Sequence, residues 1–163
     1  MIDILSLNVK GLNSNIKRSL ALREFKRSKA DIIFIQESLL TKSGNMAFAL
    51  KHFPQIYLAS SSQKRAGVAI LFRQGSPFQL QSLYSDPQGH FLILRGTWKG
   101  SDLTLCNIYA PNVNQNSFLS KVYKRLFAAP HQYLVIGGDF NLTYSPSMDR
   151  LSAGGAQPPP GHR

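Results

Sequence analysis

Short apolar runs alternate with polar, glycine-rich breaks along this chain, and the spacing within each run sets the expected element. "IDILSLN" opens as a strand and breaks at "VKGLNSN". From Ile16 to Lys29, "IKRSLALREFKRSK" suits a helix, with Asn15 as N-cap and an apolar stripe at Ile16, Leu20 and Phe25. Its six Lys and Arg residues read as a solvated face. "DIIFIQE" carries four consecutive apolar residues, Ile32 to Ile35, which fits a strand buried on both sides. A looser helical segment is expected over Asn45 to His52. "GVAILF", Gly67 to Phe72, reads as another buried strand, and "FQLQSLY" from Phe78 as one on the outer part of a sheet. "FLILRGTW" and "LTLCNIY" flank "KGSD" and predict a β-hairpin. Phe118, Val122 and Leu126 stand four apart in an amphipathic helix from Ser117 to Phe127, with Ser117 as cap. "YLVIGGDFN" closes the ordered part, its Leu134, Val135 and Ile136 reading as buried on both faces.

Helices and hairpins are interleaved with strands, so the sheet arrangement should be mixed α/β (α+β). At 163 residues, 43% hydrophobic and 17% charged, the chain has material for one domain with a real core. After Arg150, "LSAGGAQPPPGHR" has too little apolar surface to order itself. The expected division is a domain over 1–150 and a disordered Gly/Pro-rich tail over 151–163. Nineteen Lys and Arg against eight Asp and Glu leave a net charge of +11. That surplus fits a polyanionic partner such as nucleic acid, although it would also serve solubility alone. Cys106, the one cysteine, cannot form an internal disulfide and reads as a buried thiol. With no basic leader before an apolar core and no run of membrane-spanning length, an intracellular setting is expected, nucleus or cytoplasm undecided.

Four of the apolar segments share one oddity: each ends in a polar side chain. Asn8 closes the first, Glu37 the second, Asn107 and Tyr109 the hairpin strand, Asp139 and Asn141 the last. Each has an ordinary reading: Asn8 and "GDFN" as turn residues, Tyr109 as a core aromatic with a wet hydroxyl, Asn112 as a turn residue after Pro111. Together they describe a rim at which loops leave strand ends, the usual place for a ligand in a sheet-based protein. A carboxylate following four buried residues, as Glu37 does, must be solvated, paired or bound to a cation. Strand alternation turns Gln36 to the face opposite Glu37 and puts Asp139 and Asn141 on one face with Phe140 turned to the packing. Glu37 offers hard oxygens for Mg²⁺, Asp139 could orient a water or take its proton, Asn141 could donate to a phosphate or hold the water, and Tyr109 could donate to phosphoryl oxygens. Phosphodiester hydrolysis is the coherent chemistry.

The motifs "LSLNVKGLN", "DIIFIQES", "RAGVAILF", "LCNIYAPN" and "GDFNLTYSPSMDR", in that order, resemble the endonuclease/exonuclease/phosphatase superfamily. The likeness is strongest to the apurinic-like endonuclease domain of LINE-type non-LTR retrotransposons, and it runs from Ile2 to about Arg150. It implies a DNase I-like fold of two facing mixed β-sheets flanked by helices. It also implies a Mg²⁺-dependent endonuclease (Mn²⁺ able to substitute) whose partner is the DNA phosphate backbone, with no membrane and no small-molecule cofactor. On the matching positions, Glu37 would be the principal Mg²⁺ ligand and Asn8 would shape the metal and phosphate site. Tyr109 would contact the scissile phosphate, Asn112 would support the site from the same loop, Asp139 would position or activate the water, and Asn141 would stabilise the transition state. The family closes with a Ser-Asp-His motif that has no counterpart after "MDRL"; His52, His90 and His131 lie in unrelated contexts. A C-terminally truncated domain with an incomplete second sheet is therefore expected. Two alternatives stand beside the enzyme: a non-catalytic remnant that retains nucleic-acid binding, and a phosphatase of the same superfamily.

Overall fold

The computed structural model describes residues 1–41 and 43–142. The boundary at 150 and the Gly/Pro-rich tail lie outside the described residues. Among the described residues, eight strands form two four-stranded sheets. The first contains β1 (Ile4–Asn8), β2 (Ile32–Gln36), β3 (Gln55–Ala59) and β4 (Val68–Phe72) in the order β1-β2-β4-β3. The second contains β5 (Phe78–Ser85), β6 (Phe91–Trp98), β7 (Ser101–Tyr109) and β8 (Tyr133–Asp139) in sequence order. In each sheet one pair is parallel, β1 with β2 and β7 with β8, and the rest are antiparallel. Helix α1 (Asn15–Ser28), a 3₁₀ segment (Ser43–Ala49) and helix α2 (Gln115–Leu126) complete the order. The expected mixed two-sheet α+β fold is the one observed.

Strand alternation sorts the side chains into three apolar layers. Ile32, Phe34, Val68, Ile70 and Phe72 of the first sheet meet Leu92, Leu94, Leu103 and Leu105 of the second. The opposite parity, Ile33, Ile35, Ala69 and Leu71, packs under α1 and the 3₁₀ segment against Phe25, Met46 and Phe53. Ile93, Cys106 and Ile108 pack under Val122 and Leu126 of α2. Burying each such Leu, Ile or Phe contributes about 1.5–3 kcal/mol, so these three layers carry most of the fold's stabilisation.

Several local expectations shift. Helix α1 is capped by Ser14, whose hydroxyl accepts from the Lys17 amide at 3.2 Å, and Asn15 is its first residue. Its buried face is Ala21 and Phe25, while Ile16 and Leu20 are 75% and 47% exposed, because Phe25 fixes which side of the helix meets the sheet. Helix α2 begins at Gln115 after Asn114, so Ser117 lies within it and does not cap it. The segment expected over 45–52 is the 3₁₀ turn Ser43–Ala49. β3 has no counterpart among the expected elements: its five residues form a half-buried edge with no clear alternation. β8 is half-buried rather than enclosed, because among the described residues it is the edge of the second sheet. Cys106 is fully buried, and desolvation pushes its thiol up to about 12.

A buried polar cluster bridges the two sheets within the dry layer. Asn107 of β7 is fully buried, and its amide donates to the carbonyls of Ile35 at 2.9 Å and Ala69 at 2.8 Å on the opposite sheet. Its carbonyl accepts from Gln36 Nε2 at 2.9 Å, and the same nitrogen donates to Ser6 Oγ at 3.1 Å. Both Asn107 N–H protons and its carbonyl oxygen thus have a protein partner. Truncation to alanine strips the Gln36 amide and two carbonyls of a partner in the interior. Asn107→Ala should lower the unfolding free energy in urea by about 2–4 kcal/mol, and a loss below about 1 kcal/mol would show that the sheets do not need the clamp.

Candidate active site at the sheet rim

β1, β7 and β8 end together at one rim, and each presents its last inter-sheet residue there. Asn8 follows Ile4 and Ser6 on the inner parity of β1. Tyr109 follows Leu105 and Asn107 on β7, and Asp139 follows Val135 and Gly137 on β8. Pairing carries the convergence to the strand ends, with Asn8 opposite Gln36 and Tyr109 opposite Asp139. Gly138 makes the last step possible. At φ +134° it lies so close to Ile108 that an added Cβ would fall 2.0 Å from the Ile108 carbonyl oxygen. No side chain fits there.

Glu37 reaches the rim by another route. The inner parity of β2 ends on Gln36, so continued alternation would send Glu37 toward α1. Instead Glu37 takes a left-handed φ of +56°, which interrupts the extended run and returns its carboxylate to the inter-sheet end. Gln36 and Glu37 are therefore not on opposite faces as strand periodicity predicts: Gln36 lies between the sheets and Glu37 at the mouth of the same layer. A left-handed non-glycine residue costs roughly 1–2 kcal/mol, and such strain collects at functional positions. The turn is held by backbone bonds from Gly11 to the Glu37 carbonyl at 2.7 Å and from Ser38 to the Gly67 carbonyl at 3.0 Å.

Asn8 joins the two carboxylates, and Glu37 brings in Tyr109. The Asn8 Nδ2 donates to Glu37 Oε2 at 3.0 Å and to Asp139 Oδ2 at 3.1 Å, while its Oδ1 accepts from the Lys10 amide at 3.0 Å. The Lys10 bond fixes which end of the amide faces the carboxylates. Tyr109 donates its hydroxyl to Glu37 Oε2 at 3.3 Å. Burial, followed by the Glu37 carboxylate and its hydrogen bond and then by Asp139, pushes the Tyr109 hydroxyl above its ordinary pKa, so it stays a proton donor.

Asn141 and Asn112 stand differently. The Asn141 amide N–H donates to Asp139 Oδ1 at 3.0 Å, but its side-chain nitrogen donates to the Ala110 carbonyl, tying β8's exit to the loop after β7. Phe140 turns into the layer under α2, as alternation predicts. Asn112 is exposed and has no hydrogen bond to the other four. Asn107 ends a strand as they do, but it is spent on the inter-sheet clamp.

Among the described residues, neither Glu37 nor Asp139 has an ion pair with Lys, Arg or His; the described pairs are Arg27–Glu24 and Lys121–Asp86. No three His, Cys, Asp or Glu side chains converge among those residues. Two carboxylates joined by a neutral amide suit a hard cation that takes few carboxylates and keeps its waters, rather than a soft ion caged by nitrogen or sulfur. One further neighbour of this group has no signal in its own sequence context. His90 stacks beside Tyr109 with ring centroids 6.0 Å apart, and its Nδ1 lies 2.7 Å from the Tyr109 carbonyl oxygen. The hairpin register contained the clue: counting outward from Trp98 opposite Ser101 brings His90 opposite Tyr109.

The chain belongs to the endonuclease/exonuclease/phosphatase family, whose model matches residues 5–159. Solved structures with the same fold include TDP2 from Caenorhabditis elegans, at 19% identity and a TM-score of 0.66 over 87% of this chain and 48% of that one. Another is D. rerio TDP2 complexed with a single-strand DNA product, at 20% identity and a TM-score of 0.66 over 94% and 66% of the two chains. The catalytic domain of Xenopus laevis APE2 matches at 19% identity and a TM-score of 0.63 over 89% and 60%. The chain thus spans about half to two thirds of the structures it matches.

The site's electrostatics give a signed test. Glu37→Gln removes the nearest charge acting on Tyr109 and exchanges a carboxylate acceptor for an amide. The Tyr109 hydroxyl should then titrate at lower pH than in the parent chain, and Asp139→Asn should lower it less. Ultraviolet difference titration against Tyr109→Phe isolates this residue from the other tyrosines. An unmoved titration in Glu37→Gln would show that the carboxylate does not govern the hydroxyl.

Proposed function

We propose that this chain is a divalent-cation-dependent phosphodiesterase acting on DNA, of the endonuclease type that LINE retrotransposons carry. The observation that supports this most is the joining of Glu37 and Asp139 through the Asn8 amide, with the Tyr109 hydroxyl on the same Glu37 oxygen. Two carboxylates without a cationic partner among the described residues, in a chain of net charge +11, suit a polyanionic substrate that arrives with a metal ion. The structural relative solved with single-strand DNA product, and the order of the motifs along this chain, favour DNA over a small phosphorylated molecule.

In this reading Glu37 holds Mg²⁺, or Mn²⁺ in its place, with Asp139 beside it. When bound, the ion neutralises charge on a phosphate oxygen during in-line displacement. The side chains do the rest. Asp139 orients the attacking water and accepts its proton. Asn8 fixes the spacing of the two carboxylates. Tyr109, kept protonated, donates to a phosphoryl oxygen as charge grows there. Asn141 gives up the Ala110 carbonyl for a phosphate oxygen as the transition state forms, and Asn112, exposed on the neighbouring loop, contacts the substrate strand.

Supercoiled plasmid tests this directly. Nicking should require Mg²⁺, stop with EDTA, and fall about 10²–10⁴-fold in Asp139→Asn, the range for losing a general base, with Glu37→Gln comparably impaired. Plasmid left intact by the folded parent chain with Mg²⁺ would reject the catalytic reading in favour of a binding remnant. DNA affinity should in either case fall linearly in log–log with salt, and a salt-independent signal would count against phosphate recognition.

A further inference from the structure

We propose that His90 is a positioning residue for Tyr109, using its imidazole to finish the β6–β7 ladder at the point where Tyr109 enters the site. The pairing runs unbroken from Trp98–Ser101 to Phe91–Ile108, and the next pair outward is His90 with Tyr109. The Tyr109 amide still donates to the His90 carbonyl, at 2.7 Å, but the return bond is missing. The His90 amide turns away and donates to Asp86 Oδ2 at 3.0 Å. The imidazole fills the gap, with Nδ1 2.7 Å from the Tyr109 carbonyl oxygen. A carbonyl only accepts, so Nδ1 carries the proton. The ring that replaces the backbone donor also lies nearly parallel to the phenol, at an interplanar angle of 22°, with Phe118 edge-on behind it at 5.8 Å.

The base of this device is built. Asp86 is fully buried at the β5–β6 turn, where its amide donates to the Phe91 carbonyl at 3.1 Å and its carbonyl accepts from Gly89 at 2.9 Å. Its second carboxylate oxygen has no hydrogen bond and faces Lys121 of α2 at 3.8 Å. The Gly89 carbonyl in turn accepts from Gly67 at 2.9 Å, which ties the turn to the loop that holds Glu37. Both anchors of the Tyr109–Glu37 hydrogen bond are therefore referenced to one turn. A buried carboxylate spent on a backbone N–H is costly for an ordinary hairpin and reasonable where a side chain must be held to a fraction of an ångström.

The inference deepens the proposed hydrolysis, and one arm of its test is independent of activity. Nitrogen-15 histidine spectra of the whole chain should show His90 as the Nδ1–H tautomer, and tyrosine ring signals should shift at Tyr109 in His90→Ala but return toward the parent in His90→Asn. The asparagine amide can donate where Nδ1 does. An Nε2–H tautomer, or Tyr109 signals unmoved in His90→Ala, overturns the proposal. In plasmid nicking, corrected for folded fraction, His90→Ala should lower kcat about tenfold with KM nearly unchanged. His90→Asn should recover most of that loss, and His90→Phe, which keeps a ring without the donor, should not. Equal kcat per folded molecule in all three variants assigns His90 to stability alone. If the parent chain itself does not nick, the hydrolytic reading fails and the spectra alone decide the role of His90.

Discussion

The amide of Asn107 sets the relation between the two sheets. Apolar contacts are non-directional, so the facing layers by themselves discriminate less sharply between neighbouring offsets than a directional polar contact does. A buried amide is such a contact. Its two protons go to the Ile35 and Ala69 carbonyls and its oxygen to Gln36, and any shift of one sheet strands several polar groups in a dry interior. The contact lies two residues before Tyr109 and beside the last residue of β2, so it holds the sheets most firmly at the edge where the candidate site forms. Specificity of packing is here specificity of the rim.

Once the sheets are in register, the site follows from parity. Ser6 and Asn8, Asn107 and Tyr109, Gly137 and Asp139 are consecutive inner positions on three strands, one reaching the clamp or the layer and the next reaching the mouth. Glu37 alone departs from this rule, and its left-handed backbone is the departure. Had β2 continued extended by one residue, its carboxylate would have faced α1, and the Tyr109 hydroxyl would have lost its acceptor. The strain at this residue and the turn bonds around it are what the fold contributes to bring the second carboxylate within reach of Asn8.

The features legible in the sequence were those that strand and helix periodicity can express. β2 and β4 announce themselves as unbroken apolar runs because α1 and the 3₁₀ segment cover one face of their sheet and the second sheet the other, and the β6–β7 hairpin does so through its turn. The polar residues at strand ends could be picked out because a charge after a buried run is physically conspicuous. What escaped had no local signature. β3 is short and half-buried. The working face of α1 depends on where Phe25 lands, and Ile16 and Leu20 look as apolar on paper as Ala21 looks neutral. Asn107 reads as one more polar strand end until the facing sheet supplies its three partners. His90 is legible only through the hairpin register, one pair beyond the last apolar pair.

The charges of the molecule work at two ranges with opposite sign. Over many ångströms the surplus of Lys and Arg makes a field that draws a polyanion, weakened by salt beyond about 10 Å. At contact, two carboxylates would repel the same phosphate. A lysine in place of Asn8 would settle that conflict by neutralising the pair, and it would also occupy the place of a cation. The Asn8 amide does neither: it holds both carboxylates by hydrogen bonds, leaves their charge in place, and takes its own orientation from the Lys10 backbone. In the proposed function a phosphate would settle at the rim only together with a positive ion, so that substrate binding and cation binding would be one event. The Tyr109 hydroxyl, kept protonated by burial first and then by the same two carboxylates, is in that proposal the neutral donor that such a phosphate would meet.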